Sequence, residues 1–305
     1  MRKISVGVVG IGHLGSIHAK IYRESQGCEL SAICDTDEAR LKALSRELGV
    51  PGYSDYRQLF DKVEAVSIAA PTRLHYRIAA EFLKHKIHSL VEKPFTTDLK
   101  EADSLIKIAG KNQLILQVGH VERFNSAFAA TQRLIDNPKF IECHRLSPFP
   151  NRSLDIGAVL DIMIHDIDIV LGLVPSRLKK VESVGVNVLT GFEDIANARL
   201  TFANGCVANL TASRVSDEVM RKIRIFQENT YISLDYKEAQ ASVYKRTSQG
   251  ITKEDLPIEK EQPLQKELQS FVDCVATGRE PIVSGKVGRA ALTVALEIQK
   301  QIWRR

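Results

Sequence analysis

The chain lacks any apolar run approaching the roughly 18 residues that a membrane-spanning helix requires. It opens Met1-Arg2-Lys3 into a strand pattern rather than into the apolar stretch of a signal peptide, so no membrane association and a cytoplasmic location are expected. The 5 cysteines (Cys28, Cys34, Cys143, Cys206, Cys274) are odd in number, scattered and never spaced Cys-x-x-Cys. That excludes a disulfide framework and a zinc site, and leaves them as small core residues. No Gly-x-x-x-x-Gly-Lys loop and no Gly-x-Ser-x-Gly elbow occurs, which removes P-loop phosphoryl transfer and serine hydrolysis. His13, His18 and His75 have no carboxylate or cysteine at ligand spacing, so no metal is expected. A net charge of +5 is too small to point to nucleic acid, although it suits an anionic small substrate. Internal repeats and low-complexity segments are absent.

What is present begins at once. Residues 4 to 15 read as a buried-strand run that breaks into Gly10-x-Gly12-x-x-Gly15, and Asp35 follows 20 positions later at the end of a second strand. In a dinucleotide site the first glycine permits the tight turn, the second lets backbone amides approach a pyrophosphate, and the third lets helix and sheet pack closely. The helix N-terminus then faces the phosphates. A glycine-rich turn can also exist for packing alone. Asp35 reads as the acceptor for the adenosine ribose hydroxyls, where a carboxylate would repel a 2′-phosphate, favouring NAD over NADP. Alternatively Asp35-Thr36-Asp37-Glu38 is a helix start, and both hold together if Thr36 or Asp37 is the cap.

A length of 305 residues predicts two domains. Through residue 119 strands (Val6 to Gly10, Leu30 to Cys34, Ala65 to Ala70, His88 to Glu92, Leu114 to Val118) alternate with helical stretches near 17–25, 37–48, 55–61, 75–85 and 98–110. This is the pattern of an α/β fold with a parallel sheet covered on both faces. The strand ends Ala70-Pro71-Thr72 and Glu92-Lys93-Pro94 fall on the side where such sheets bind ligands. From 120 a helix near 126–136, a strand near 140–147 and a helix around 157–173 precede strands at Val181 to Leu189, Asp194 to Phe202, Cys206 to Arg214, Lys222 to Gln227 and Tyr231 to Asp235, as in an antiparallel sheet. Lys245 to Gln262 reads as loop. Helices near 264–277 and 286–303 close the chain, the first ending at Gly278 as an αL cap. The domains expected are therefore 1–119 and 120–305, with the closing helices, 264–303, packing back on the first.

Asp161 and His165 are four apart in an apolar segment, so a helix would put them on one face. An acid beside an imidazole suits proton transfer from a hydroxyl as hydride leaves the same carbon. The competing reading is an ordinary surface pair, with Asp166 and Asp168 solvating the opposite face. Lys93, where a strand meets proline, is positioned to hold a substrate hydroxyl, or else to pair with Glu92 in solvent. His120, Arg123 and Asn125 begin the crossing between domains and are candidate substrate contacts, although Arg123 could equally bridge to Glu122 or stabilise the junction. Arg145, Asn151 and Arg152 flank a proline-broken loop able to hold a phosphate or carboxylate.

Taken together, Gly10-x-Gly12-x-x-Gly15-x-x-His18, Ala70-Pro71-Thr72 with His75, Glu92-Lys93-Pro94, Gly119-His-Val-Glu-Arg-Phe-Asn125, Asp161-x-x-x-His165-Asp166 and Gly278-Arg-Glu-Pro281 resemble the Gfo/Idh/MocA family across essentially the whole chain. The resemblance implies a Rossmann domain followed by an α+β domain with an open, mostly antiparallel sheet, and bound NAD, with NADP less favoured. It implies Lys93, Asp161 and His165 as catalytic residues. Gly10, Gly12, His13, Leu14, Gly15, Asp35, Ala70, Pro71, Thr72, His75, Glu92 and Lys93 would bind cofactor, and His120, Arg123, Asn125, Arg152 and His165 substrate. It also implies a homodimer or homotetramer formed through the open sheet. Two departures stand on the substrate side: Asp155-Ile-Gly-Ala-Val replaces a glycine cluster, and Ser126 replaces a proline. The phrases around Arg123 and Ser147 to Ser153 look most like the sugar-nucleotide branch, implying a UDP-sugar, most specifically UDP-N-acetylglucosamine oxidised at its 3-hydroxyl. Oxidation of a free cyclitol such as inositol, or NAD sensing without catalysis, are the alternatives.

Overall fold

The computed structural model describes residues 2–149, 156–259 and 261–304. The chain divides into two compact units, one made of residues through Val121 with Leu264–Arg289, the other of Glu122–Pro263 with the residues from Ala290 on.

The first unit holds six parallel strands in the order β3-β2-β1-β4-β5-β6: β1 (Ile4–Val9), β2 (Cys28–Cys34), β3 (Gly52–Tyr53), β4 (Ala65–Ile68), β5 (His88–Glu92) and β6 (Leu116–Gly119). Every residue of β4 and β6 is buried, as expected of strands covered on both faces. The helices between them are α1 (His13–Glu24), α2 (Glu38–Leu48), α3 (Thr72–Lys84) and α4 (Leu99–Asn112). Each is amphipathic. Gly15, His18, Ala19 and Tyr22 are the buried stripe of α1, and Leu41, Leu44 and Leu48 that of α2. Asp37 caps α2 by accepting from the Arg40 N–H at 3.0 Å, and Gly49, at φ +66°, ends it. The register pairs Val9 with both Cys34 and Ile68, and Glu92 with Gly119, so the strand ends carrying Gly10, Asp35, Ala70 and Lys93 form one edge.

The second unit has eight strands in the order β14-β13-β12-β11-β7-β10-β9-β8. They are β7 (Phe140–Leu146), β8 (Leu178–Val186), β9 (Ile195–Phe202), β10 (Val207–Ser213), β11 (Met220–Gln227), β12 (Thr230–Asp235), β13 (Gln240–Thr247) and β14 (Gly250–Asp255). All neighbours are antiparallel except β7 and β10. The segment read as loop from Lys245 therefore contains the end of β13 and all of β14. All six residues of β14 are exposed, so this edge strand has no buried alternation for a sequence to display.

Helix α5 (Ser126–Gln132) stops short of the expected 136. The helix expected over 157–173 is two pieces, a π turn at Val159–Met163 and then α6 (Ile164–Leu173). Buried residues of α6 pack in one core with Ala196, Ala198 and Leu200 of β9 and with Val294, Ala295 and Ile298 of the last helix. The closing helices are α7 (Pro263–Thr277) and α8 (Gly285–Ile302). Leu268, Phe271 and Val272 of α7 join the core of the first unit, and Gly278 beyond it sits at φ +70°. The five cysteines are free and buried. Among the described residues no helix is long and apolar enough to cross a membrane.

Candidate active site

At the β1–α1 turn the three glycines serve different needs. Gly10 is at φ +82°, and a Cβ there would lie 2.6 Å from the Ala70 nitrogen. A Cβ on Gly15 would overlap the Gly10 carbonyl oxygen. Gly12 is different, since a Cβ would meet nothing nearer than Arg40 Nη1 at 3.9 Å. Protein packing accounts for the first and third glycines and not for the second, whose bare backbone leaves room for a ligand group. Gly12 is also the N-cap of α1 without a side-chain cap, so the first amides of the helix end at that space without a side-chain acceptor. These residues fit a dinucleotide pyrophosphate.

Asp35 directly follows β2 with its carboxylate one-tenth exposed. Oδ2 accepts from the Ile11 N–H at 2.9 Å and Oδ1 from the Asp37 N–H at 2.9 Å. Arg40 Nη1 approaches Oδ2 at 3.3 Å, while Asp37 does the helix capping. The acid is thus tied to the glycine turn itself, a link that sequence spacing does not reveal. A carboxylate has about four acceptor positions, so these contacts leave capacity for a further donor.

Further along the same edge, His18, Ser67 and Glu92 form a buried polar group. His18 Nδ1 lies 2.7 Å from Ser67 Oγ and Nε2 3.3 Å from Glu92 Oε1. Burial works to raise the Glu92 carboxyl. The hydrogen bond and charge of His18, with the charge and N–H of Lys93, outweigh it and hold the group below the ordinary carboxylate range. The Lys93 N–H donates to Glu92 Oε2 at 3.1 Å, and the Lys93–Pro94 peptide is cis. Gly119 gives Glu92 its room, because a Cβ there would come within 2.7 Å of the carboxylate. His75 is buried on α3 with Nδ1 2.9 Å from the Pro94 carbonyl and Nε2 2.8 Å from that of Ala70. Burial pushes its pKa below the ordinary value near 6.5. A neutral imidazole carries one N–H, so His75 donates to one of these two carbonyl oxygens at a time from its place between the 70–71 and 93–95 loops.

In the second unit Asp161 lies in the π turn and His165 near the start of α6. Both are half-buried, as are Leu160 and Ile162, while Val159, Met163 and Ile164 are fully buried, so Asp161 and His165 belong to the accessible side of the segment. Asp166 and Asp168 do not solvate the other side. They are 2% and 1% exposed and bind arginines. Arg145 donates to Asp166 from Nη2 at 2.7 Å and from Nε at 3.1 Å, and to Glu122 from Nη1 at 2.7 Å. Burial disfavours its charge, and the two carboxylates more than compensate, pushing it above the usual arginine range. Arg123 donates to Asp168 Oδ2 at 2.6 Å, to Oδ1 at 3.1 Å and to the Asp168 carbonyl at 2.9 Å. The guanidinium groups expected to grip a substrate anion are thus taken by carboxylates of α6. The partner of Arg123 is Asp168, not Glu122. Asn125 is buried and caps α5, accepting from the Ala127 N–H at 3.0 Å, while His120, in the first unit, is 1% exposed. Arg152, with Asn151, lies outside the described residues.

Sequence reading missed the Arg145–Glu122–Asp166 cluster, the π turn, and a further buried group, Glu193, Asp194 and Arg214, beside it. The adjacent acids Glu193-Asp194 at the head of an apolar strand were the available signal. Among the described residues no three His, Cys, Asp or Glu side chains are grouped to hold a metal.

Residues 4–120 match the model of the NAD-binding Rossmann fold of the GFO/IDH/MocA oxidoreductases, and residues 118–233 match that of the GFO/IDH/MocA C-terminal domain. The chain is 35% identical to UDP-N-acetylglucosamine 3-dehydrogenase of Acidithiobacillus ferrooxidans, over 98% of this chain and 97% of that protein. A crystal structure of that enzyme superposes with a TM-score of 0.94 at 36% identity, covering 99% of this chain and 98% of the other. Myo-inositol 2-dehydrogenase of Thermotoga maritima is 27% identical over 97% of this chain and 96% of its own.

Proposed function

The chain belongs to the Gfo/Idh/MocA oxidoreductase family, and from that premise we propose that it oxidises a secondary hydroxyl of a sugar nucleotide, UDP-N-acetylglucosamine at its 3-hydroxyl, with NAD as acceptor. Its first unit is an NAD-binding Rossmann domain, and the chain is a dehydrogenase acting on CH–OH groups. The observation that carries the substrate is the whole-length similarity to UDP-N-acetylglucosamine 3-dehydrogenase, which exceeds that to the inositol enzyme.

In this reading NAD, when bound, supplies the acceptor for the hydride that leaves the alcohol carbon. The chain does the rest. The uncapped α1 N-terminus and the open backbone at Gly12 take the pyrophosphate, with His13 and Leu14 beginning the helix there. Asp35 takes a ribose hydroxyl and disfavours a 2′-phosphate. Ala70, Pro71 and Thr72, beside His75, and Glu92 with Lys93 form the rest of the cofactor edge. Lys93 stabilises developing alkoxide character, His165 accepts the hydroxyl proton, and Asp161 orients His165. His120 and Asn125 remain substrate contacts. Arg123 and Arg145 hold α6, and Arg152 is left for the diphosphate.

We further propose a cytoplasmic homodimer or homotetramer formed through the outer face of the second sheet. That face is mostly polar, with Arg199–Asn209 and Arg224–Glu142 contacts. Exposed Val184 and Val186 of β8 depart from this, and so does an aromatic row. Phe140, Phe226, Tyr231 and Tyr244 stack in register across β7, β11, β12 and β13 with centroids 4.8 to 5.7 Å apart, all half-exposed. Such a row suits burial against a second copy.

The test is incubation with NAD and a panel of UDP-sugars and cyclitols, reading reduced cofactor by absorbance and product by mass. Loss of two hydrogens from UDP-N-acetylglucosamine is expected. Turnover of inositol alone would reassign the substrate, and NAD-dependent binding of a protein partner without any turnover would point to sensing. His165→Ala should lower turnover by about 10²–10⁴-fold while NAD still binds.

A further inference from the structure

We propose that Glu193 is a positioning residue that holds the π turn, and through it the Asp161 and His165 pair, in working geometry. The inference rests on the roles assigned above to those two residues.

Glu193 is fully buried. Its Oε1 accepts from the Val159 N–H at 3.2 Å and from Gln299 Nε2 at 3.0 Å, and its backbone carbonyl accepts from the Ala158 N–H at 2.8 Å. One carboxylate oxygen is thus delivered to the Val159 amide at the start of the helical segment, where the aligned backbone dipoles favour negative charge. Gly157 makes this approach possible, since a Cβ at that position would overlap the Glu193 carboxylate. The single glycine of Asp155-Ile-Gly-Ala-Val is therefore required by one particular acid.

The strand head that delivers Glu193 is itself fixed. Asp194 Oδ2 accepts from three successive amides, Val188 at 2.8 Å, Leu189 at 2.6 Å and Thr190 at 2.9 Å. Its Oδ1 accepts from Arg214 Nε at 2.8 Å. Arg214, 1% exposed, then donates from Nη1 to the Ile156 carbonyl at 2.8 Å. Ile156, Ala158 and Val159 are all gripped by this one group. The next bonds are Asp161 N–H to the Gly157 carbonyl at 3.0 Å and the Ile164 N–H to the Val159 carbonyl, the wide bond of the π turn. A π turn is rare and persists where its surroundings enforce it. With Glu193 gone, relaxation to regular α geometry would rotate Asp161 relative to His165.

The test compares wild type with Glu193→Gln, Glu193→Ala and Gly157→Ala, measuring steady-state kinetics and amide hydrogen exchange over Val159–Met163. Gln keeps an oxygen for the same N–H donors, so Glu193→Gln should retain kcat within about threefold and keep the amides protected. Glu193→Ala should lose kcat by about tenfold or more with KM for NAD unchanged, and expose those amides. Gly157→Ala should reproduce the Ala phenotype with the acid still present, and serves in its place if Glu193→Ala does not fold. Wild-type kcat and protection in Glu193→Ala would overturn the proposal, as would equal loss in Glu193→Gln and Glu193→Ala without altered exchange. The exchange readout needs no substrate, so failure of the assigned substrate leaves this test standing.

Discussion

The two units build their sites from opposite materials. In the first, the site edge is backbone: glycines that let chain approach chain, an uncapped helix end, and His75 between two carbonyl oxygens. In the second, the segment bearing Asp161 and His165 is surrounded by buried charge, with Arg145 on Asp166 and Glu122, Arg123 on Asp168, and Arg214 on Asp194. A phosphate-binding turn must present amides, and amides are presented by the local path of the chain. A helix that carries a candidate proton-transfer pair must hold its rotation, and guanidinium forks spanning distant segments hold rotation in a way that apolar packing does not. Such pairs gain little net stability over apolar packing, yet removing one partner leaves the other buried and uncompensated.

The contrast is broken most directly at Arg145. Arg145→Met strands two buried carboxylates and should cost about 3–5 kcal/mol, read from the urea midpoint. A cost as small as that of a surface pair would mean that the cluster is dispensable. Within the first unit, Gly15→Ala should destabilise by about 1–3 kcal/mol through overlap with the Gly10 carbonyl. Gly12→Ala should leave unfolding nearly unchanged and weaken NAD binding, measured by titration calorimetry. Equal stability losses at the two glycines would remove the distinction between packing and ligand roles.

Acid sharpens the comparison further. His75 has a folded pKa below its ordinary 6.5 because burial disfavours the cation, so on acidification the unfolded chain takes up a proton before the folded one does. Stability from this residue is therefore complete above that value and is lost as pH falls below it. Asp194, with a lowered pKa opposed by burial but set by its backbone and Arg214 bonds, keeps its contribution until far more acidic conditions. Denaturant titrations at stepped pH should show the first unit weakening first. The smallest effect is expected at Arg40→Ala, where a half-exposed guanidinium leaves Asp35 and Asp37 for a change of about 0.2–1 kcal/mol.

The legibility of the sequence follows the same division. Gly10, Gly12 and Gly15 could be read as one turn because their spacing is local, and the parallel sheet followed from buried strands alternating with amphipathic helices. The antiparallel strands β8 to β12 were visible in their alternation. Strand β14 was not, because none of its residues is buried. A solvated face stood as one alternative for Asp166 and Asp168, since nothing within α6 announces Arg145, 21 residues before Asp166, or Arg123, 45 residues before Asp168.

By itself the sequence determined most of the strands and helices, the dinucleotide turn and the candidate proton-transfer residues, because these depend on periodicity, on glycine stereochemistry and on side-chain type. Only the tertiary structure decided which arginines are spent on carboxylates, that Asp35 is tied to the glycine turn through the Ile11 amide, and that Asp161 rides on a π turn held by Glu193. Those choices are made by which polar groups lose water together on folding, and a buried charge or amide must take whatever partner three-dimensional packing brings within reach.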